Sequence, residues 1–290
     1  MTLAQAQKFD EASALHAALQ SILDIHRQHF AEAQHPIAGP AQAVDEAAIH
    51  ARHRAASIEG VGMFQFAEKK ARRARAAVIA DEEVRQQREA AVQALAAHQL
   101  VLDEWWAELC ANDPGTVTGM IDQAFEDNEA MAACIDVTGS EAELVVLVPD
   151  ESAVPLRKPD TTPGGRITTK AMTKKERDAF YTLMVCGYVL VTVRECLAVA
   201  PAIATVRIVA VRDAGTDAYG SRRSDAILAA TFTRSALLGV RWDTADSGTI
   251  VQDASSELLA NYKGVNRVLS PIDLTKEKDL AALVEAFSFE

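Results

Sequence analysis

The sequence predicts an α+β protein: a long helical arm over residues 1–128, then a compact domain over 131–290 with an antiparallel or mixed sheet covered by helices. Three observations carry this. Residues 65–111 contain neither Pro nor Gly; the first third is dominated by Ala, Gln, Glu and Arg; and beyond Met131 the apolar spacing changes from steps of three and four to alternation.

In the first helix, Ala12, Leu15, Leu19, Ile22 and His26 fall on one face, and His35-Pro36 followed by Gly39-Pro40 should stop it near Gln34. A second helix spans Val44 to Ile58. Gly60-Val61-Gly62 interrupts it, and Met63, Phe64 and Phe66 form an apolar knot there. A continuous helix over 65–111 would be roughly 70 Å long. Its C-terminal half carries a coiled-coil-like seam of Ala91, Leu95, His98, Leu102, Trp105 and Leu109, but the register meets Arg88, Asp81 and Lys70 further back. The arm is therefore expected to be a helical hairpin, the first helix covering the seam; self-association of arms is the alternative. Asp113 and Pro114 cap a further helix that ends near Asn128.

In the second domain, Met131–Val137 and Glu143–Val148 flank Thr138-Gly139-Ser140 as a hairpin. A Pro/Gly-rich loop from Pro149 to Gly165 follows. Thr173-Lys174-Lys175-Glu176 reads as a capping box opening a buried helix over 174–199. Strands are expected at Thr205–Arg212 and Asp225–Thr233, and helices at Gln252–Tyr262 and Asp279–Phe287.

The formal charge of −12 opposes non-specific attraction to nucleic acid or an anionic membrane. Residues 1–24 have no basic leader segment, and the uncharged run Ala179–Val193 falls short of the ~20 residues that cross a bilayer. The four cysteines form no CxxC pair, which points to free thiols in a reducing, cytoplasmic setting. No phosphate-cradling Gly-rich motif is present. All seven histidines lie between His16 and His98, so the second domain cannot supply a Ser-His-Asp or Cys-His pair from its own residues.

His26-x-x-His29 and His50-x-x-His53 place imidazoles on helix faces at metal-ligand spacing, though a core role for His26 is the simpler reading. Asp213 and Asp217 are placed like the sheet-edge acids of metal-dependent nucleases, but the stretch Ile227–Thr233 of the next strand supplies neither a further acid nor a lysine. Tyr181, Arg194, Glu195 and Trp242 read as core or edge residues, with Arg194 and Glu195 as an ion pair at the helix end. No catalytic residue, metal or cofactor is assigned.

The chief anomaly is a basic loop, residues 157–175, holding Arg157, Lys158, Arg166, Lys170, Lys174 and Lys175. Lys174 and Lys175 occupy the first turn of a helix, where the macrodipole favours acids. A helix N-terminus beside these cations suits an anion or an acidic partner. The bland alternative balances the loop against acids of the arm, such as Glu126, Asp127 and Glu129. A second basic collar, Lys69, Lys70, Arg72, Arg73 and Arg75, opens the long helix; its ordinary partners would be Glu68, Asp81, Glu82 and Glu83.

Segments such as Ile25-His26-Arg27, Gly60-Val61-Gly62-Met63-Phe64, Trp105-Trp106-Ala107-Glu108-Leu109, Ala124-Phe125-Glu126-Asp127-Asn128-Glu129, Val185-Cys186-Gly187 and Val193-Arg194-Glu195 make the chain, from about 25 to 285, resemble an uncharacterised actinobacterial protein family. Many members carry a small additional N-terminal domain, which this sequence is not expected to contain. The resemblance implies a bacterial, cytoplasmic protein and transfers no site residue. The leading functional expectation is a non-enzymatic interaction or scaffold protein, with a protein partner or a second copy on the arm and an anionic ligand or acidic partner on the basic loop. A diverged, inactive nuclease-like or phosphate-handling enzyme and a module binding the nucleic-acid backbone are the alternatives; no membrane contact is expected.

Overall fold

The computed structural model describes residues 3–62, 64–216, 218–220, 222–264 and 268–287. Met63, assigned to the apolar knot, and Asp217, one of the two nuclease-like acids, lie outside the described residues. The architecture is α+β, with a long helix followed by a mixed sheet and its helices.

The chain forms two compact units, but they do not follow the division at 128 and 131. One unit is Met1–Ala33 together with Glu108–Glu290, and the other is Gln34–Ala107. α1 (Leu3–Asp24), with Ala12, Leu19 and Ile22 buried, packs on the helix Lys174–Val199 and on the ribbon at 157–171 within the first of these units.

The unit Gln34–Ala107 is a helical hairpin. α2 (Glu46–Ser57), capped by Asp45, runs antiparallel to α3 (Phe66–Cys110), and Ile49, Ala80 and Val84 form the small core between them. Charged pairs flank that core: Arg52 and His53 both reach Glu83, His50 reaches Asp81 at 3.3 Å, and Arg88 reaches Glu46. Further along, Gln99 holds the chain at Pro36–Ala38, accepting from Ala38 N (2.8 Å) and donating to Pro36 O (3.2 Å). His35 meets Asp103 at 3.1 Å and the edge of Trp106. An extended segment thus lies where the first helix was expected, and the seam residues Ala91, Leu95, Leu102 and Trp105 are only half-buried.

In the other unit, Asn112 takes a left-handed φ of 58° that ends α3. Asp113 then accepts from Thr116 N at 2.9 Å, with Pro114 at the first position of α4 (Pro114–Phe125). β1 (Ala132–Thr138) and β2 (Glu141–Leu147) pair antiparallel around Gly139. The expected loop at 149–165 holds β3 (Arg157–Thr161) and the turn at Pro163-Gly164-Gly165, after which β4 (Ile167–Ala171) pairs with β3 as a two-stranded ribbon. Then α5 (Lys174–Val199) leads to β5 (Thr205–Thr216), which pairs parallel with β2. β6 (Arg222–Thr233) is antiparallel to β5, and α6 (Arg234–Leu237) and α7 (Ser247–Ala254) follow.

Residues 252–262 are mainly strand and not the expected helix. α7, capped by Asp246, ends at Ala254, and β7 (Ser255–Lys263) pairs with the free edge of β6. An open ladder of unpaired N–H and C=O groups recruits this segment despite the helical propensity of Glu257, Leu258, Leu259 and Ala260. β8 (Val268–Ser270) completes the six-stranded sheet in the order β1-β2-β5-β6-β7-β8, and α8 (Lys278–Ala286) follows.

The sheet is buried on both faces. Val145, Val209 and Val211 pack with Leu280, Leu283 and Phe287 from α8 and its end. Leu144, Val146, Ile208 and Ala210, of opposite parity, are buried and face the side on which α5 packs. α5 is long and apolar enough to span a bilayer by length and composition, but it is a core helix here, with most of its apolar stretch buried. A helix apolar on all sides needs cover on all sides. Sheet, α4, α7 and α1 supply it, and a short 3-10 turn (Ile25–Arg27) after α1 passes directly over Gly187.

Candidate functional site: the basic ribbon and the cavity beneath it

Five of the six predicted cations lie on the β3–β4 ribbon or the first turn of α5, and Arg166 sits where the turn enters β4. Three are held by acids of the same unit. Arg157 donates to Thr169 (Oγ1 2.9 Å, O 2.8 Å) and faces Glu11 of α1 at 3.8 Å; Glu11 also accepts from Thr169 Oγ1. Lys158 reaches Glu176 at 2.5 Å, and Lys174 reaches Asp178 at 3.2 Å. The balancing acids are therefore Glu11, Glu176 and Asp178, not Glu126, Asp127 and Glu129; Glu129 instead accepts from the Tyr188 hydroxyl at 3.4 Å. Arg166, Lys170 and Lys175 are exposed and form no ion pair among the described residues.

Register sharpens the anomaly. Lys158 and Lys170 are directly opposed across the ribbon, a like-charge arrangement that destabilises a two-stranded ladder. Glu176 relieves one side. It also closes the capping box, accepting from Thr173 N at 2.8 Å while Thr173 Oγ1 accepts from Glu176 N at 3.2 Å. Lys158 and these cap bonds together hold the Glu176 carboxyl down to about 2.

The other predicted groups resolve differently. His26 is buried with Nε2 3.0 Å from Ala245 O, and burial lowers its pKa. His50 and His53 each face a carboxylate of α3, and among the described residues no three His, Cys, Asp or Glu side chains group to hold a metal. Of the collar, Arg72 pairs with Glu68 at 2.6 Å. Asp81 and Glu83 turn to α2, and Glu82 to Arg85, so those three acids do not serve the collar as expected. Arg194 and Glu195 are not paired with each other. The Arg194 guanidinium donates to His26 O at 2.7 Å and lies 4.0 Å over the Trp242 ring, whereas Glu195 accepts from Asn128 at 2.5 Å, with its pKa raised by burial.

Asp213 caps its own turn, accepting from Gly215 N at 2.7 Å. It lines a shallow hollow with Asp150, Glu151, Arg212 and Asp225, and none of the six predicted cations lines that hollow. Arg212 ties this region together, reaching Glu151 and Asp225 at 3.4 Å each.

Glu151 is shared with a second hollow under the ribbon, about 390 Å³, lined also by Leu156, Met172, Lys174, Arg177, Asp178 and Tyr181. It stands where β2 ends and α5 begins, beside the carboxyl end of the parallel pair β2–β5, the position where α/β crossovers leave a crevice. Lys174, Arg177, Asp178 and Tyr181 follow helical spacing on one face of α5, a polar stripe that was readable in Lys-Lys-Glu-Arg-Asp-Ala-Phe-Tyr. Arg177 and Asp178 escape notice in the sequence because the neighbouring lysines dominate the charge count. Comparison of the chain with family models, curated proteins and solved structures gives no significant match.

Proposed function

We propose that this is a non-enzymatic interaction module whose β3–β4 ribbon and first turn of α5 dock an acidic segment of a protein partner. One observation carries the reading: Arg166, Lys170 and Lys175 are exposed without ion pairs among the described residues, although Arg157, Lys158 and Lys174 beside them are each held by an acid. Lys170, opposed to Lys158 across the thin ribbon and without an acid of its own, is stabilised by an external anion, and exposed charge steers and selects partners more than it stabilises the fold. The net charge of −12 favours an acidic peptide engaging a local patch over a long polyanion that would meet the rest of the surface. A cytoplasmic setting goes with this reading and is supported by four unpaired thiols.

The test is fluorescence anisotropy with a labelled Glu-rich peptide and, in parallel, a DNA duplex of matched charge. The peptide is expected to bind, and reversal of Arg166, Lys170 and Lys175 to Glu is expected to weaken it at least about tenfold. Equal binding by parent and variant would defeat the reading, as would a preference for the duplex.

A further inference from the structure

The hollow beneath the ribbon has a property that docking of an acidic segment does not use. Three polar atoms in its wall are buried without any hydrogen-bond partner: Arg177 Nε, Asp178 Oδ2 and the Tyr181 hydroxyl. They make up most of the five such side-chain atoms among the described residues, so the concentration is local. Asp178 is 5% exposed and Tyr181 1%, which denies both contact with bulk water. Buried polar groups are ordinarily satisfied, and each exception needs an explanation.

The remaining bonds of these groups are already committed. Asp178 Oδ1 accepts from Lys174 Nζ at 3.2 Å, and an Arg177 terminal nitrogen donates to Glu151 O at 3.1 Å. The wall carries two carboxylates, Glu151 and Asp178, two cations, Lys174 and Arg177, and the Tyr181 phenol, which burial keeps protonated by pushing its pKa up. An inorganic anion would leave Asp178 unsatisfied and would be repelled by it. A simple cation would do the same to Arg177. The apolar wall of Leu156, Ala171 and Met172 accommodates a small carbon skeleton, and about 390 Å³ lies within the ~300–1,000 Å³ of small-molecule pockets.

We propose that this hollow binds a small amphoteric metabolite of amino-acid size, its ammonium on Asp178 and its carboxylate across Arg177 and Tyr181. The proposal does not rest on the docking reading, because it uses none of Arg166, Lys170 and Lys175.

The experiment is a thermal-shift and calorimetric screen of the full chain against each standard amino acid, with phosphate, acetate, methylammonium and glycerol as probes of the separate parts. At least one amino acid is expected to raise Tm by about 3–6 °C at ten times its Kd. Tyr181→Phe should weaken it about tenfold, and Asp178→Asn should abolish it. Ligand-free Tyr181→Phe is expected to fold and to melt close to the parent, since it keeps the buried ring and removes only the hydroxyl beside the Arg212 guanidinium, which keeps the test valid if Asp178→Asn folds poorly. No response to any amino acid at millimolar concentration would overturn the proposal, leaving the hollow to ordered water. So would equal binding of phosphate, acetate, methylammonium or glycerol alone, or affinity unchanged in Tyr181→Phe.

Discussion

Gly187 lies so close to Ile25 that a Cβ on the glycine would stand 3.0 Å from Ile25 Cβ and 3.1 Å from Ile25 Cγ2. The turn after α1 is seated on α5 at that point, backbone against side chain. Gly187→Ala would gain about 1 kcal/mol in helix propensity and lose more to overpacking, for a net destabilisation of about 1–2 kcal/mol. Urea unfolding checks it. In a double-mutant cycle, truncating Ile25 to Ala should recover part of the loss, because the two changes share one contact.

The capping box of α5 ties acid stability to one carboxyl. Glu176 is held from its ordinary 4.5 down to about 2, so its contribution is complete above pH 4.5 and disappears as pH falls toward 2. Glu176→Gln should flatten the acid limb of a stability-against-pH curve in that window. Thr173→Ala should cost about 1 kcal/mol at neutral pH.

Arg194 is half-buried, stacked on Trp242 and bonded to His26 O. Lysine cannot reproduce both the planar stacking and the directed N–H, so Arg194→Lys should lose about 1–3 kcal/mol. Intrinsic tryptophan fluorescence should shift as Trp242 gains water.

Thiol titration separates the cysteines. Cys110 is exposed, while burial pushes the Cys134 and Cys186 thiols up to about 12 and Cys196 higher still. One equivalent of a thiol reagent should react in the native protein at pH 8 and the remainder only on unfolding.

A fragment of residues 131–290 lacks both α1 and α4, which cover α5. It should aggregate or lose its cooperative melt; size-exclusion chromatography and calorimetry would show this.

Legibility followed locality. The Thr173 capping box, the Asp113-Pro114 start, the Gly139 hairpin and the uninterrupted α3 are set by a few neighbouring residues and were readable in the chain. Non-local demands were not. β7 is a strand because β6 presents an open edge, and α1 packs on α5, whose apolar surface needs cover. The β3–β4 ribbon is an intermediate case: Pro163-Gly164-Gly165 between Thr-rich runs is a turn signal, obscured by the loop composition around it. The cations of the candidate site were visible, but their partners were not, since Glu11 is far from Arg157 in sequence.

The discontinuous unit has a consequence for how the protein is made. In order of synthesis, α1 emerges with Ala12, Leu19 and Ile22 bare, and its counterpart α5 follows only after the whole Gln34–Ala107 hairpin and the first strands. At ordinary ribosomal rates that wait is on the order of 10 s. The helical hairpin contacts are local and close during it, while the N-terminal segment stays adhesive until the last half of the chain arrives. The nascent chain therefore passes through a state in which α1 is a surface open to chaperone capture or misassociation.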